Sequence, residues 1–563
     1  MLSLLSACAA AQPGDSDGSV NSAPVAITTS AGAQLIARHA LAIGDLNEAA
    51  RAYDRLLLAD PGNTALTRQA FLTNLLAFRP EAVALARELP GLQAAQLLLA
   101  DDDALAGRWR QAERRYAALA DQGAMDVIRP LLMAWATAGG GAYDRALAQL
   151  QPLMQGKNFR GMFVLNAAMI ADLAGKDTEA ARLYKQAEAA FGASNLPLLR
   201  QVTSFDARHG RRAQAEAKLR QWAAGNQELA LALPGLLKHL DERQVRRATD
   251  GMADVYTAFA AALRGQQSSQ LSNVLLRLAL NLRPDSTSAR LLAADIALAG
   301  KHPADALAVL APVGADDPLL PLVQMRRAVI AEQTGHTERA LALLAEIARE
   351  APDRPEPLVM RGNILRGHAR YGEAIAAYDQ AVALIPHPTA NDWPLFYSRA
   401  IALDRAHKWP AAEADLMHAL ALSPGQPSVM NYLGYSLTEQ DRDLPRARKL
   451  IEQAAAAQPD DGAIIDSLGW VMLRQGDTAG GLKQLERAAE LEPNDPTINM
   501  HLGDAYWAVG RKLDAQFQWR RAMTLSPEPA DQRKLEAKIA EGEKALGIPS
   551  AQAEPAPPAK ATP

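Results

Sequence analysis

The chain has 563 residues, and its 59 Lys and Arg against 63 Asp and Glu give a net charge of -4 and a pI near 6.2. Charges of both signs are interspersed, so there is no basic field for sequence-independent binding of nucleic acid. Apolar residues make up 49% and aromatics only 5%, with Ala and Leu dominant; this is the composition of closely packed helices, and a chain this long is several domains unless it is repetitive.

Taken from the start, Cys8 is the one cysteine, which excludes an internal disulfide framework and a Cys-based metal site. The phrase Leu5-Ser6-Ala7-Cys8 resembles the lipobox of bacterial lipoproteins, in which the signal peptide is cut before the cysteine and the cysteine is lipidated. Only "MLSLLSA" precedes it, with no basic n-region and too short an apolar core for secretion. Residues 1–8 are therefore read as a truncated signal remnant, with the natural start upstream or trimmed away. No other apolar run approaches the roughly 18 residues that span a bilayer, so membrane contact is expected through Cys8 alone.

Residues 9–33 have no sustained helical period and read as a flexible tether, reaching about 25 to 30 Å. From residue 34 almost everything is helical in period. Residues 34–285 are expected to form degenerate helical repeats, visible in "IGDLNEAARAYDRLLLADP" (Ile43 to Pro61) and "AGKDTEAARLYKQA" (Ala174 to Ala187), and least regular from Asn226 to Gly265. Residues 286–530 are expected to be well-defined repeats, followed by a capping helix at 531–547 and a disordered Pro/Ala tail at 548–563.

The repeat is clearest near the C-terminus, where Gly434 and Gly469 are 35 residues apart and Gly469 and Gly503 are 34 apart. Aligning on these glycines brings Ala412, Ala447 and Ala515 into one column, with Gly481 departing, which is expected to loosen that hairpin slightly. The next columns are Leu416, Ile451, Leu485 and Trp519, then Ala419, Ala454, Ala488 and Ala522, then the helix-ending Pro424, Pro459, Pro493 and Pro527. Upstream, Gly362, Ala374, Tyr378, Ala381 and Pro386 form another repeat, as do Ala328, Gly335, Ala340, Leu344 and Pro352, with Thr389 to Asp392 a short insertion. The spacing resembles the tetratricopeptide repeat (TPR). The expected fold is an all-α TPR solenoid, a right-handed superhelix of about twelve to fourteen hairpins forming one extended core in which each hairpin covers its neighbour.

In such a stack the first helix of each hairpin lines the concave surface. Residues just after the glycine, and one turn before it, then face the groove. The candidate protein-binding residues are Tyr397, Asn431, Tyr435, Asp466, Trp470, Arg474, Asp504 and Trp507, with Met500 in the column of Asn431 and Asp466. Packing against the neighbouring second helix is the competing role for each aromatic.

Chemical motifs are absent. The ten histidines show no H-E-x-x-H or paired metal spacing, and there is no G-x-S-x-G or Walker sequence. "LAGKD" and "LAGKH" lack the upstream glycine and following Ser/Thr, and Gly139 to Gly141 read as a loop. "RHGRR" (Arg208 to Arg212) and "RQVRR" (Arg243 to Arg247) read as solvated helix ends or as a docking point for an acidic patch. The expectation is a non-enzymatic protein with no cofactor and no metal.

The segment from Asn431 to Met523, most distinctively Asp466-Ser467-Leu468-Gly469-Trp470, resembles the C-terminal TPR block of the LbcA-type outer-membrane lipoproteins of Gram-negative bacteria. That resemblance implies an adaptor, lipid-anchored on the periplasmic face of the outer membrane. Its partners would be a carboxyl-terminal processing protease, which it activates, and that protease's cell-wall hydrolase substrates. A structural scaffold for an envelope assembly, polysaccharide or protein export complex is the alternative, and a cytoplasmic TPR module a third.

Overall fold

The computed structural model describes residues 30–120, 123–156, 158–191, 196–224, 226–263 and 269–546. Cys8, most of the expected tether and the Pro/Ala tail lie outside them. Among the described residues there are thirty α-helices, two 3-10 turns and no strand, so the expected all-α architecture holds. The first helix, Ser30–Ile43, begins within the span read as tether, and the last is Pro529–Leu546. The insertion after Pro388 is a 3-10 turn, Ala390–Asp392, where the Asp392 carboxylate accepts from the Thr389 backbone N–H at 2.7 Å and its hydroxyl at 2.8 Å. No described helix is long and apolar enough to cross a membrane.

Each helix starts and stops for local reasons. Asp461, Asp477 and Asp495 stand just before three successive helices of the C-terminal region, and their carboxylates accept backbone N–H groups of the first turn, satisfying donors that have no partner within the helix. The second helices end at Leu422, Ala457, Leu491 and Thr524, just ahead of the four column prolines. Between the two helices of one hairpin, Gly476 has a φ of +87°, a conformation that a side chain would strain.

The chain divides into two compact units between His336 and Thr337, inside the span read from the sequence as one uniform set of repeats. In the second unit, five hairpins from Glu356 to Thr524 stack in order and Pro529–Leu546 packs on the last of them. Their cores follow the columns. A Cβ on Gly434 would lie 2.6 Å from Ile451 Cγ1, one on Gly469 2.6 Å from Leu485 Cγ, and one on Gly503 2.4 Å from Trp519 Cδ1. The glycine of the first helix thus receives the large side chain of the second, and all four column alanines are fully buried. Gly481 does not loosen its hairpin. Its carbonyl oxygen lies 2.9 Å from the Cβ position of Gly469, and the Gly469 carbonyl lies 2.8 Å from its own, so the missing methyl brings the two backbones together.

The first unit departs from neighbour-to-neighbour stacking. It contains eight hairpins, an unpaired helix Gln227–Lys238 and a final helix Leu320–Gln333. Helix Ala248–Ala262 lies against the sequence-distant helix Met125–Gly139, and Ser269–Leu282 reaches Thr64–Leu76 and Gln93–Leu105. One core runs continuously from Phe71 to Ile330. Glycine again permits the contact: a Cβ on Gly251 would lie 2.2 Å from Trp135 Cζ2, while the Trp135 indole N–H donates to Asn166 at 2.8 Å. Nearby, Asp101 Oδ1 accepts from the Tyr116 hydroxyl at 2.6 Å and from the Tyr256 hydroxyl at 3.0 Å. Burial pushes this carboxyl up to about 8 despite the two hydroxyl bonds that oppose the shift.

The basic clusters tie this unit together and are not simply solvated helix ends. Arg208 and Arg243 reach the same buried carboxylate, Asp172, at 2.6 and 3.2 Å, and the Tyr184 hydroxyl donates to it as well. Arg211 pairs with Asp206 at 2.9 Å, and Arg247 with Asp250 at 3.3 Å.

Candidate functional site

The first helices of the second unit include Trp393–Arg405, Pro427–Glu439, Gly462–Arg474 and Pro496–Ala508. Every candidate groove residue stands on one of these four. The structure gathers them into three clusters along the unit.

The central cluster holds Asn431, Tyr435, Asp466, Trp470 and Arg474. The Trp470 ring stacks on His501 with centroids 4.2 Å apart and planes 10° from parallel, and its indole N–H donates to Glu439 at 2.8 Å. The Arg474 guanidinium lies 5.7 Å from the Trp470 ring centroid and pairs with Asp441 at 3.3 Å. Beneath the tryptophan, His501 Nδ1 and Asp466 Oδ2 are 2.8 Å apart, both residues buried. Burial alone would push the imidazole down, but the Asp466 charge and hydrogen bond outweigh it, and the net shift is upward. Two acceptors here, Asp466 Oδ1 and Asn431 Oδ1, are sealed from solvent without a hydrogen-bond partner. The Tyr435 hydroxyl is raised by burial first and then by the Glu439 and Asp466 carboxylates.

Sequence alignment had put Met500 in the column of Asn431 and Asp466. Met500 instead packs into the core with Tyr506 and Trp519, and His501 takes the polar position. The signal was present as a strict interval of 35 residues through Asn431, Asp466 and His501. Aligning on the glycines, which switch from 35 to 34, hid it by one residue.

The second cluster holds Asp504 and Trp507. Asp504 Oδ1 accepts from the Trp519 indole at 3.0 Å, and its carboxylate receives Lys538 Nζ at 2.7 and 2.8 Å. Trp507 packs on Trp519 with centroids 5.4 Å apart, and Lys512 Nζ lies 4.9 Å from its ring centroid. The third cluster is around Tyr397, which meets Tyr432 edge-on at 5.9 Å and Trp393 at 6.0 Å; the Tyr432 hydroxyl donates to Asp404 at 2.9 Å.

The C-terminal helix, with Glu528 just before it, reaches toward all three, which the sequence did not reveal. Glu528 pairs with Arg405 at 3.3 Å, the Asp531 charge helps to raise the Tyr435 hydroxyl, the Glu439 and Asp504 charges help to raise Lys534, and Lys538 binds Asp504. Near its end, a Cβ on Gly542 would lie 3.3 Å from the Trp519 ring, and the Ile539 carbonyl accepts from Gln516 at 3.1 Å. Part of the expected groove is therefore lined, and partly filled, by the chain's own last helix.

The family model of the tetratricopeptide repeat matches residues 397–462 and 467–527. These two segments are tetratricopeptide repeats. They contain Asn431, Tyr435, Trp470, Arg474 and His501 of the central cluster, with Asp466 just ahead of the second segment, and Asp504, Trp507 and Trp519; TPR segments are protein-binding scaffolds, so the partner class they imply is protein. The chain is 30% identical to the TPR repeat-containing protein PA4667 of Pseudomonas aeruginosa over 205 residues, 36% of this chain and 34% of that protein. It is 36% identical to bacteriophage adsorption protein A of Escherichia coli over 90 residues, 16% of this chain and 9% of that protein. The chain thus spans about a third or less of the length of these relatives. Among solved structures, the APC/C hetero-tetramer Cut9-Hcn1 is similar at 13% identity and a TM-score of 0.38, over 92% of this chain and 97% of that one.

Outside the TPR segments, the Gly-Lys phrases are turns. Lys176 pairs with Asp144 at 2.5 Å, and a Cβ on Gly139 would lie 2.5 Å from the Trp109 ring, which makes that glycine a packing residue. Among the described residues no group of three His, Cys, Asp or Glu side chains could hold a metal ion.

Proposed function

We propose that this chain is a non-enzymatic adaptor on the periplasmic face of the bacterial outer membrane. It binds a carboxyl-terminal processing protease through the first-helix face of its second unit, activates it, and brings it cell-wall hydrolase substrates. Cys8 is its lipid anchor. The observation that carries this reading is the stack of Trp470 on the buried Asp466–His501 pair. These three side chains come from two successive first helices, and a partner would meet a rigid half-buried indole with a fixed orientation. Aromatic anchors held in this way contribute about 2 kcal/mol or more to an interface. The Asp466-to-Trp470 phrase is also where the sequence resembles LbcA-type adaptors.

The test is a pulldown from detergent-solubilised envelopes with a tag after Pro563, read by mass spectrometry, for wild type and Trp470→Ala. The adaptor reading expects a processing protease enriched by wild type and lost in the variant. Recovery of export or assembly components with no protease would replace it with the envelope-scaffold reading.

A further inference from the structure

Away from the TPR face, the first unit contains a cavity of about 630 Å³. It lies between helices Arg160–Leu173, Leu196–Arg208 and Ala248–Ala262, under the loops 239–247, 283–286 and 316–319 and the first turn of helix Thr287–Ala299. This volume is within the range of sites that enclose small ligands. One wall is apolar, with Met162, Leu165 and Met169 on one helix and Val255 and Ala258 on another.

Arg246 on its rim is exposed, and the other arginines that line it are matched with one exception. Arg243 is held by Asp172 at 3.2 Å, and Arg283 lies 3.6 Å from both Asp254 and Asp285. Asp317 accepts from Thr287 and from the Leu319 N–H. Arg200 has no such partner. Its Nε is sealed from solvent with no hydrogen-bond acceptor, and among the described residues no carboxylate stands within ion-pair distance of it. Burial pulls its pKa down, the Arg283 charge adds to that, and Asp254, Asp317 and Glu242 oppose only through space. A guanidinium held here without an anion is costly, and its fork of donors fits a planar carboxylate through two parallel hydrogen bonds.

The rest of the lining restricts the ligand further. Glu242, Asp254, Asp285, Asp316 and Asp317 face the cavity together with Arg243, Arg246 and Arg283, so these acids already offset those arginines, and Arg200 is left to match a single negative charge, which a carboxylate supplies and a dianion exceeds. Gln201, Gln244 and Ser288 also line the cavity. An alkyl chain would leave such groups unpaired, whereas backbone amides can hydrogen-bond to them.

We propose that this cavity binds the carboxyl-terminal end of a short peptide, with the terminal carboxylate on Arg200 and the last apolar side chain against Met162, Leu165 and Met169. The site is independent of the TPR face, so either can fail without the other.

The experiment is calorimetric titration of the full chain with the tripeptide Ala-Ala-Leu as free acid, the same tripeptide amidated at its C-terminus, and octanoate. Free acid should bind, and amidation should weaken it by about tenfold or more. Arg200→Gln should reproduce that loss, and Ala258→Trp, which fills the cavity, should abolish binding with the melting temperature unchanged. Absence of free-acid binding, equal binding of acid and amide, or tighter binding of octanoate than of the tripeptide overturns the proposal. The acid-against-amide comparison uses wild type and does not depend on either variant folding.

Discussion

A glycine makes the decisive contact in both units, but its partner comes from different places. In the second unit Gly469 receives Leu485 from the other helix of its own hairpin, and Gly362, Gly434 and Gly503 rebuild the same contact in theirs. In the first unit Gly251 receives Trp135, from a hairpin far back in the chain. The second unit is held by a sum of similar neighbour terms, which leaves its first-helix face free to vary for recognition. The first unit is held by unlike contacts between distant segments, and its inner hairpin, 248–282, is committed to closure. Periodicity therefore marks the surface available to partners, and its loss marks where the chain packs on itself.

The sharpest way to break this comparison is Gly251→Val. The added side chain must displace the Trp135 ring, and overpacking of this kind is expected to cost about 3 kcal/mol. Hydrogen exchange should report faster exchange in both 125–139 and 248–262 with the second unit unchanged. If only 248–262 responded, the two helices would not be one cooperative block.

A smaller loss, about 2 kcal/mol, is expected for Asp466→Ala, which strips the buried His501 of its charged partner. The raised His501 pKa gives this a pH signature. The folded state binds the proton more tightly than the unfolded one, so the contribution is full below the ordinary histidine value of about 6.5 and is lost as pH rises through the folded value. Asp466→Asn should flatten that dependence in denaturation curves of the second unit; an unchanged slope would mean that the pair is not charged.

Comparable in size but confined to binding, Trp470→Ala is expected to weaken partner affinity by about 2 kcal/mol with little change in stability. Titration of partner and thermal melting, run on the same preparation, separate the two readouts.

The smallest effect belongs to Tyr256→Phe, about 1 kcal/mol from one lost hydrogen bond to Asp101. Because the Asp101 carboxyl is raised to about 8, its contribution to stability is full below about 4 and falls as pH rises towards 8. Asp101→Asn should remove that decline, and a wild-type stability that climbs between pH 5 and 8 with no difference in the variant would rule it out.

The hairpins of the second unit were legible in the sequence because each contact recurs: the glycine, the large side chain 16 or 17 residues later in the columns, and the proline are all local. Gly481 was misread since its effect depends on how closely two backbones approach, which a column of residue types does not record. His501 was missed by one position, where a 34-residue spacing interrupts a 35-residue polar series. Nothing periodic announced the Gly251–Trp135 contact or the cavity of the first unit, because both depend on segments far apart in the chain. The closing helix was expected as a cap, but the pairing of Glu528, just before it, with Arg405 and of its Lys538 with Asp504 is a tertiary match that single residues do not advertise.

The most direct test of the division of labour is hydrogen exchange of the full chain, alone and with a purified periplasmic processing protease. Protection concentrated in 462–474 and 496–508 is the expected result. Protection confined to the first unit, with those two helices unchanged, would contradict the account.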